Sequence, residues 1–274
     1  MASPWETLAR CLAATDPGTL HQLNSALKRA YSCGALPFEI IAGAPFERYG
    51  ARVTFQHPSP EILARAFNLD RHPWGAPDWV GLRIAANGPL RVKPYHRVDQ
   101  VDARFELPPA WPTDLYPVMA ALDGEITELY LRKRQACDFA GFARCCLGPL
   151  RVEPPATVPQ PRPHDDSFCV SLRREGCRLC AISVFADWRA LPRDPKIESA
   201  WSAGLNEADR LAYLLALAGA RSLGFLPLGN WHAMLAWTVE ADGARHRAVS
   251  LSVPPHTWVA PASAGAKGRG APLH

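Results

Sequence analysis

Pairs of apolar-alternating runs joined by tight-turn dipeptides recur along this chain, and that recurrence constrains its fold more than any other feature. Residues 79–86 (WVGLRIAA) and 90–98 (LRVKPYHRV) flank Asn87-Gly88, and residues 116–122 (YPVMAAL) and 125–134 (EITELYLRKR) flank Asp123-Gly124. Asn-Gly and Asp-Gly are favoured in short hairpin turns because they tolerate positive φ. The unit repeats at 36–42 and 51–57 across a Gly/Pro-containing connection, and at 167–173 and 177–186 around Glu175-Gly176. It repeats once more at 231–240 and 245–253 around Asp242-Gly243. Five hairpins imply ten strands. Helical spacing of apolar residues lies between them: two short helices over 4–32, one at 59–69 with Ser59 as N-cap, then 136–147 and 196–223.

Helices that separate hairpins, rather than follow single strands, argue for an antiparallel sheet. Ten consecutive antiparallel strands leave exposed edges, and closure into a barrel removes them. The expectation is an α+β fold, a ten-stranded antiparallel β-barrel of five β-hairpins surrounded by α-helices. It should occupy residues 1–258 as a single domain, with the Ala/Gly/Pro-rich stretch 259–274 as a disordered tail. A barrel wider than about eight strands is not filled by its own side chains, so a ligand chamber is expected.

Composition narrows the partners. The 274 residues carry a net charge of +4 that is scattered, without the dense basic block that nucleic acid calls for. No stretch reaches the ~18 to 20 apolar residues of a membrane span. The start, MASPWETLARCLAATD, has neither the basic opening nor the apolar run of a signal peptide, so a cytoplasmic monomer is expected. Eight cysteines include one CxxC, Cys177-Arg-Leu-Cys180, with no second pair or HxxxH nearby. They read as small core residues, and no protein metal site is expected.

Several residues invite chemistry. Arg91, Lys93, Tyr95 and Arg97 share one face of their strand, while Val92, Pro94 and His96 share the other. The charged face either meets solvent or lines the chamber, and Pro94 pulls the strand towards an edge or a bulge. Glu39, between Phe38 and Ile40, is costly to bury alone. It either acts as a general base with a tightly held proton or pairs with Arg48 or Arg52. Tyr95 and Tyr130 read either as cation-shielding rings or as barrel aromatics. Glu128, Tyr130 and Arg132 share a face, as do Trp231 and Trp237, which wall an acceptor pocket or belong to plain core.

Four stretches carry a family resemblance. They are Leu36-Pro37-Phe38-Glu39 followed by Arg52, the K-x-Y of Lys93-Pro94-Tyr95, Asp123-Gly124-Glu125 through Tyr130-Leu131-Arg132, and Leu226-Pro-Leu-Gly-Asn-Trp231. Their order on successive hairpins resembles the ABBA-fold prenyltransferases, and within them those of cyanobactin-type (RiPP) peptides, over about residues 30–255. The resemblance implies transfer of a prenyl group, dimethylallyl or longer, from its diphosphate to a peptide side chain or a small aromatic acceptor. It implies Glu39 as the catalytic residue; Arg52, Lys93, Tyr95, Tyr130 and Arg132 on the diphosphate, with Arg91 and Arg97 in reserve; and Phe38, Glu128, Trp231 and Trp237 on the acceptor. The co-substrate would be a prenyl diphosphate, with Mg²⁺ able to accompany it through waters and phosphate oxygens. The chain departs from the pattern in its fourth hairpin, RLCAISVF, which offers no Tyr or Lys beyond Arg178. That gap keeps open a non-catalytic barrel binding a hydrophobic or anionic ligand. A metal enzyme using the cysteines is the third reading.

Overall fold

The computed structural model describes residues 17–44, 50–84, 89–100, 107–133, 139–152, 168–191 and 231–252, with 207, 210, 212–214 and 216–217. Ten strands run in chain order: β1 (Leu36–Ala44), β2 (Ala51–Gln56), β3 (Trp79–Ile84), β4 (Arg91–Arg97), β5 (Leu115–Asp123), β6 (Ile126–Lys133), β7 (Phe168–Glu175), β8 (Arg178–Leu191), β9 (Trp231–Glu240) and β10 (Arg245–Ser252). Each pairs antiparallel with the next, and β1 pairs with β10, so the sheet closes into a barrel. Three helices are described along their length: α1 (Pro17–Ser32), α2 (Pro60–Ala66) and α3 (Phe139–Leu147).

Local chemistry sets the turns. Gly124 and Gly176 open two-residue turns with φ of 63° and 57°, the left-handed region where a Cβ is strained. Both turns begin one residue later than the dipeptides suggested, because Asp123 and Glu175 still pair across their hairpins, with Ile126 and Arg178. Ser59 caps α2 as expected, its hydroxyl accepting from the Ile62 N–H at 3.4 Å. Of the two helices expected over 4–32, the second is α1, continuous from Pro17 to Ser32. The proposed first helix, most of 196–223 and the tail 259–274 lie outside the described residues, although the seven described positions between 207 and 217 are helical.

Alternation decides where the core sits. Outward residues such as Ile40, Phe55, Leu82, Leu129, Leu131, Ile182 and Val249 form one cluster with Leu23 of α1, Leu63 of α2 and Phe142 of α3. Burying each such side chain contributes about 1.5–3 kcal/mol, so the seam between strands and helices dominates stability. Pro94 belongs to this outer face and does not make β4 an edge. The β3 ladder runs unbroken through Pro94↔Val80, and the β5 ladder starts only at Tyr95. No described helix is long and apolar enough to cross a membrane.

Candidate functional site in the barrel lumen

The opposite parity of the same strands faces the lumen, and there the charged and aromatic residues meet. Glu39 on β1 receives Arg52 Nη2 at 3.3 Å and the Thr54 hydroxyl at 3.0 Å on one oxygen. Its other oxygen accepts the Ser250 hydroxyl at 2.9 Å, from β10, 211 residues away along the chain. The structure shows Glu39 paired with Arg52, in a carboxylate with three donors.

Arg52 also donates through Nη1 to the Tyr95 hydroxyl. Lys93 donates to Glu128 and, at 3.3 Å, to the Tyr130 hydroxyl, and its ammonium lies 5.3 Å from the Tyr95 ring centroid and 5.7 Å from that of Tyr130. The two tyrosine rings are 6.0 Å apart, and Phe185 lies 6.3 Å beyond Tyr130. On the charged face of β4, Lys93 and Tyr95 therefore line the lumen, while Arg91 is exposed to solvent and Arg97 pairs with Asp78. Tyr95 is 2% exposed.

Burial shapes the protonation states. It raises both phenols well above their ordinary range, so Tyr95 and Tyr130 stay neutral donors. Burial alone would raise the Glu128 carboxyl too. The Lys93 ammonium, the Ser171 hydroxyl that donates to it at 2.8 Å, and Arg173 outweigh that effect and hold it at about 2. Burial draws the Lys93 ammonium below its usual value, Glu128 opposes the shift, and the charges of Arg52 and Arg83 add to it.

Part of the lumen is apolar: Ile41, Phe185, Ala236 and Ala248 form a second cluster with Tyr130, Cys169 and Met234 against it. The barrel interior thus combines ionic groups on β1, β2, β4 and β6 with this apolar cluster from β1, β8, β9 and β10. The Ser183 and Thr238 hydroxyls pair at 2.8 Å on β8 and β9. On β7 and β9, Arg173 pairs with Glu240, to which His246 approaches at 3.6 Å. Arg173, on the first strand of the fourth hairpin, has lumen parity and is held by Glu240.

Other predicted site residues fall elsewhere. Trp237 faces outward, 4% exposed, within the cluster under the helices, so it does not wall the lumen. One parity of β9 is wholly apolar and contains Trp237, while the other carries Thr238 and Glu240, which pair with Ser183 and Arg173 in the lumen. Trp231 starts β9, and its side chain lies outside the described positions. Phe38 is buried and is the extra residue of a bulge between Pro37 and Glu39. Arg132 has lumen parity, but it is exposed at the end of β6 and has no ion pair among the described residues. Arg97 pairs with Asp78 at 3.2 Å, and Arg48 is not described.

Sequence reasoning missed several members of the site. Thr54, Ser171 and Ser250 look like ordinary strand hydroxyls until closure brings them to a carboxylate. Gly81 on β3 faces the lumen, and a Cβ there would lie 3.0 Å from Tyr95 Cε2 and 3.1 Å from Arg52 Cδ. The Arg52–Tyr95 bond passes over that bare backbone. A glycine inside a strand is the available signal, since it marks close approach of another group.

The cysteine reading needs correction. Of the six described, only Cys146 is buried, and Cys177 is exposed in the β7–β8 turn. Among the described residues no group of three or more His, Cys, Asp or Glu converges as a metal site. No protein-family model matches this chain, and no curated protein matches it.

Proposed function

We propose that this protein transfers a prenyl group from an allylic diphosphate to a side chain of a peptide or to a small aromatic acceptor, within the barrel lumen. The observation that carries the reading is the convergence of Arg52 and Lys93 with the rings of Tyr95 and Tyr130, beside the apolar cluster. The allylic C–O bond breaks and its electron pair leaves with the diphosphate. Fixed cations stabilise the charge that grows there. Rings attract a cation within ~6 Å. Tyr95 and Tyr130, which already hold the Lys93 ammonium at 5.3 and 5.7 Å, are the surfaces for the allylic cation, with the cluster of Ile41, Phe185, Ala236 and Ala248 to exclude water. The acceptor then supplies the electron pair of the new bond and loses a proton, for which Glu39 is the candidate base. Mg²⁺, where needed, arrives with the diphosphate.

One observation weighs against the diphosphate and towards the second reading, a non-catalytic barrel that binds a hydrophobic or other anionic ligand. Arg52, Lys93 and Arg173 each already face a carboxylate, so a diphosphate must compete for them. The test is incubation with dimethylallyl diphosphate, Mg²⁺ and a panel of Tyr, Trp, Arg and His peptides, followed by mass spectrometry. A mass gain of one prenyl unit supports transfer, and Glu39→Gln keeps the fold and loses most of that product. Thermal stabilisation by a prenyl diphosphate analogue with no product on any acceptor supports the binding reading. Full activity in Glu39→Gln removes Glu39 as base.

A further inference from the structure

The barrel register sets three arginines side by side in one row of the sheet. Arg52 of β2 lies directly opposite Arg83 of β3, and Arg83 lies directly opposite Arg91 of β4. All three have lumen parity. Gly81, two residues before Arg83, faces Arg52 and Tyr95, and Lys93, two residues after Arg91, meets Glu128. Because barrel strands tilt, a row of opposed residues also climbs along the axis. Burial follows the climb: Arg52 is 15% exposed, Arg83 is half-buried, and Arg91 is exposed beside the hairpin turn.

Like charges directly opposite destabilise a sheet. The Arg83 charge already acts on Lys93, whose ammonium it helps draw down. Glu39 answers Arg52, and Arg83 is not without a partner, but no ion pair reaches Arg91 among the described residues. Neighbouring guanidinium forks suit a ligand with several anionic oxygens, which can bridge them with charge-assisted hydrogen bonds.

We propose that Arg83 and Arg91 form a receiving site for a diphosphate-type polyanion at the hairpin mouth of the barrel, from which the ligand passes to Arg52. The hand-over to Arg52 rests on the prenyl-diphosphate reading; the receiving site does not. Exposed cations at a cleft mouth act mainly on encounter, so the signature is kinetic.

The probe is inorganic pyrophosphate at low ionic strength, followed by stopped-flow fluorescence. Arg83→Gln and Arg91→Gln each lower the association rate constant about fivefold, change dissociation little and flatten the salt dependence. Arg65→Gln, on the exposed side of α2, changes neither rate. Ligand-free Arg91→Gln melts at or above the wild-type temperature, because one repulsion is gone. Wild-type association in Arg91→Gln, a lowered melting temperature for it, or no saturable pyrophosphate binding by the wild type overturns the site. Slowed association together with no prenyl product on any acceptor keeps the site and removes the transfer reading.

Discussion

Tyr95 and His96 are neighbours on β4 and are both buried, yet they enter opposite kinds of environment. Tyr95 points into the lumen, where its hydroxyl takes Arg52, and Lys93, Glu128 and Ser171 each find partners across strands. His96 points outward, 0% exposed, stacked 4.6 Å from the His72 ring with Trp74 edge-on at 5.6 Å. Neither of its ring nitrogens has a hydrogen-bond partner. One side of the strand buries charge and satisfies it, while the other buries a titratable ring and holds it by apolar contact alone. Burial therefore costs the two sites differently. In the lumen the loss comes from removing a partner; on the outer face it comes from adding a proton.

The largest expected break is in the lumen. Lys93→Met leaves the Glu128 carboxylate without its ammonium and costs about 3–5 kcal/mol in urea unfolding. Adding Glu128→Leu recovers most of that loss. A single-variant cost below about 1 kcal/mol would mean that water already solvates the pair.

Next comes the outer face, read by pH. Burial and the nearby His72 lower His96 from 6.5 to about 4, so the unfolded chain takes up this proton first on acidification. Its contribution is intact above pH 6.5 and is lost as pH falls to about 4, a change of about 3 kcal/mol. His96→Leu should flatten that window. The Glu128 contribution is present above its ordinary 4.5 and fails only as pH falls towards about 2, so the two regions separate along one titration. An unchanged slope between pH 6.5 and 4 in His96→Leu would assign the loss to another group.

Gly81→Ala tests how closely the lumen is fitted. The added methyl pushes against Arg52 and Tyr95 and costs about 1–3 kcal/mol. A double-mutant cycle between Arg52→Met and Tyr95→Phe should show less coupling in that background. Undiminished coupling would mean the two side chains meet by another path. The smallest effect is Ser250→Ala, about 1 kcal/mol, because Glu39 keeps Arg52 and Thr54. A cost near that of Lys93→Met would place the keystone of the network at Glu39 instead.

Much of this site was legible residue by residue. Period-two alternation put Lys93, Tyr95 and the Glu128–Tyr130 pair on candidate inward faces, and an isolated carboxylate between Phe38 and Ile40 marked Glu39. Trp237 does not wall the lumen because it shares its parity with Leu235 and Val239, and it is the opposite parity, with Thr238 and Glu240, that turns inward. The paired tryptophans are the conspicuous feature of this strand, but its polar residues carry the phase.

Hairpin turns, strand order and the parity classes are local properties, set by backbone φ preference and side-chain spacing, and the amino-acid order alone determined them. Which residues stand laterally opposite one another depends on register and closure across ten strands. Only the tertiary structure therefore brought Ser250 to Glu39, passed Arg52 over Gly81 to Tyr95, and aligned Arg52, Arg83 and Arg91 in one row.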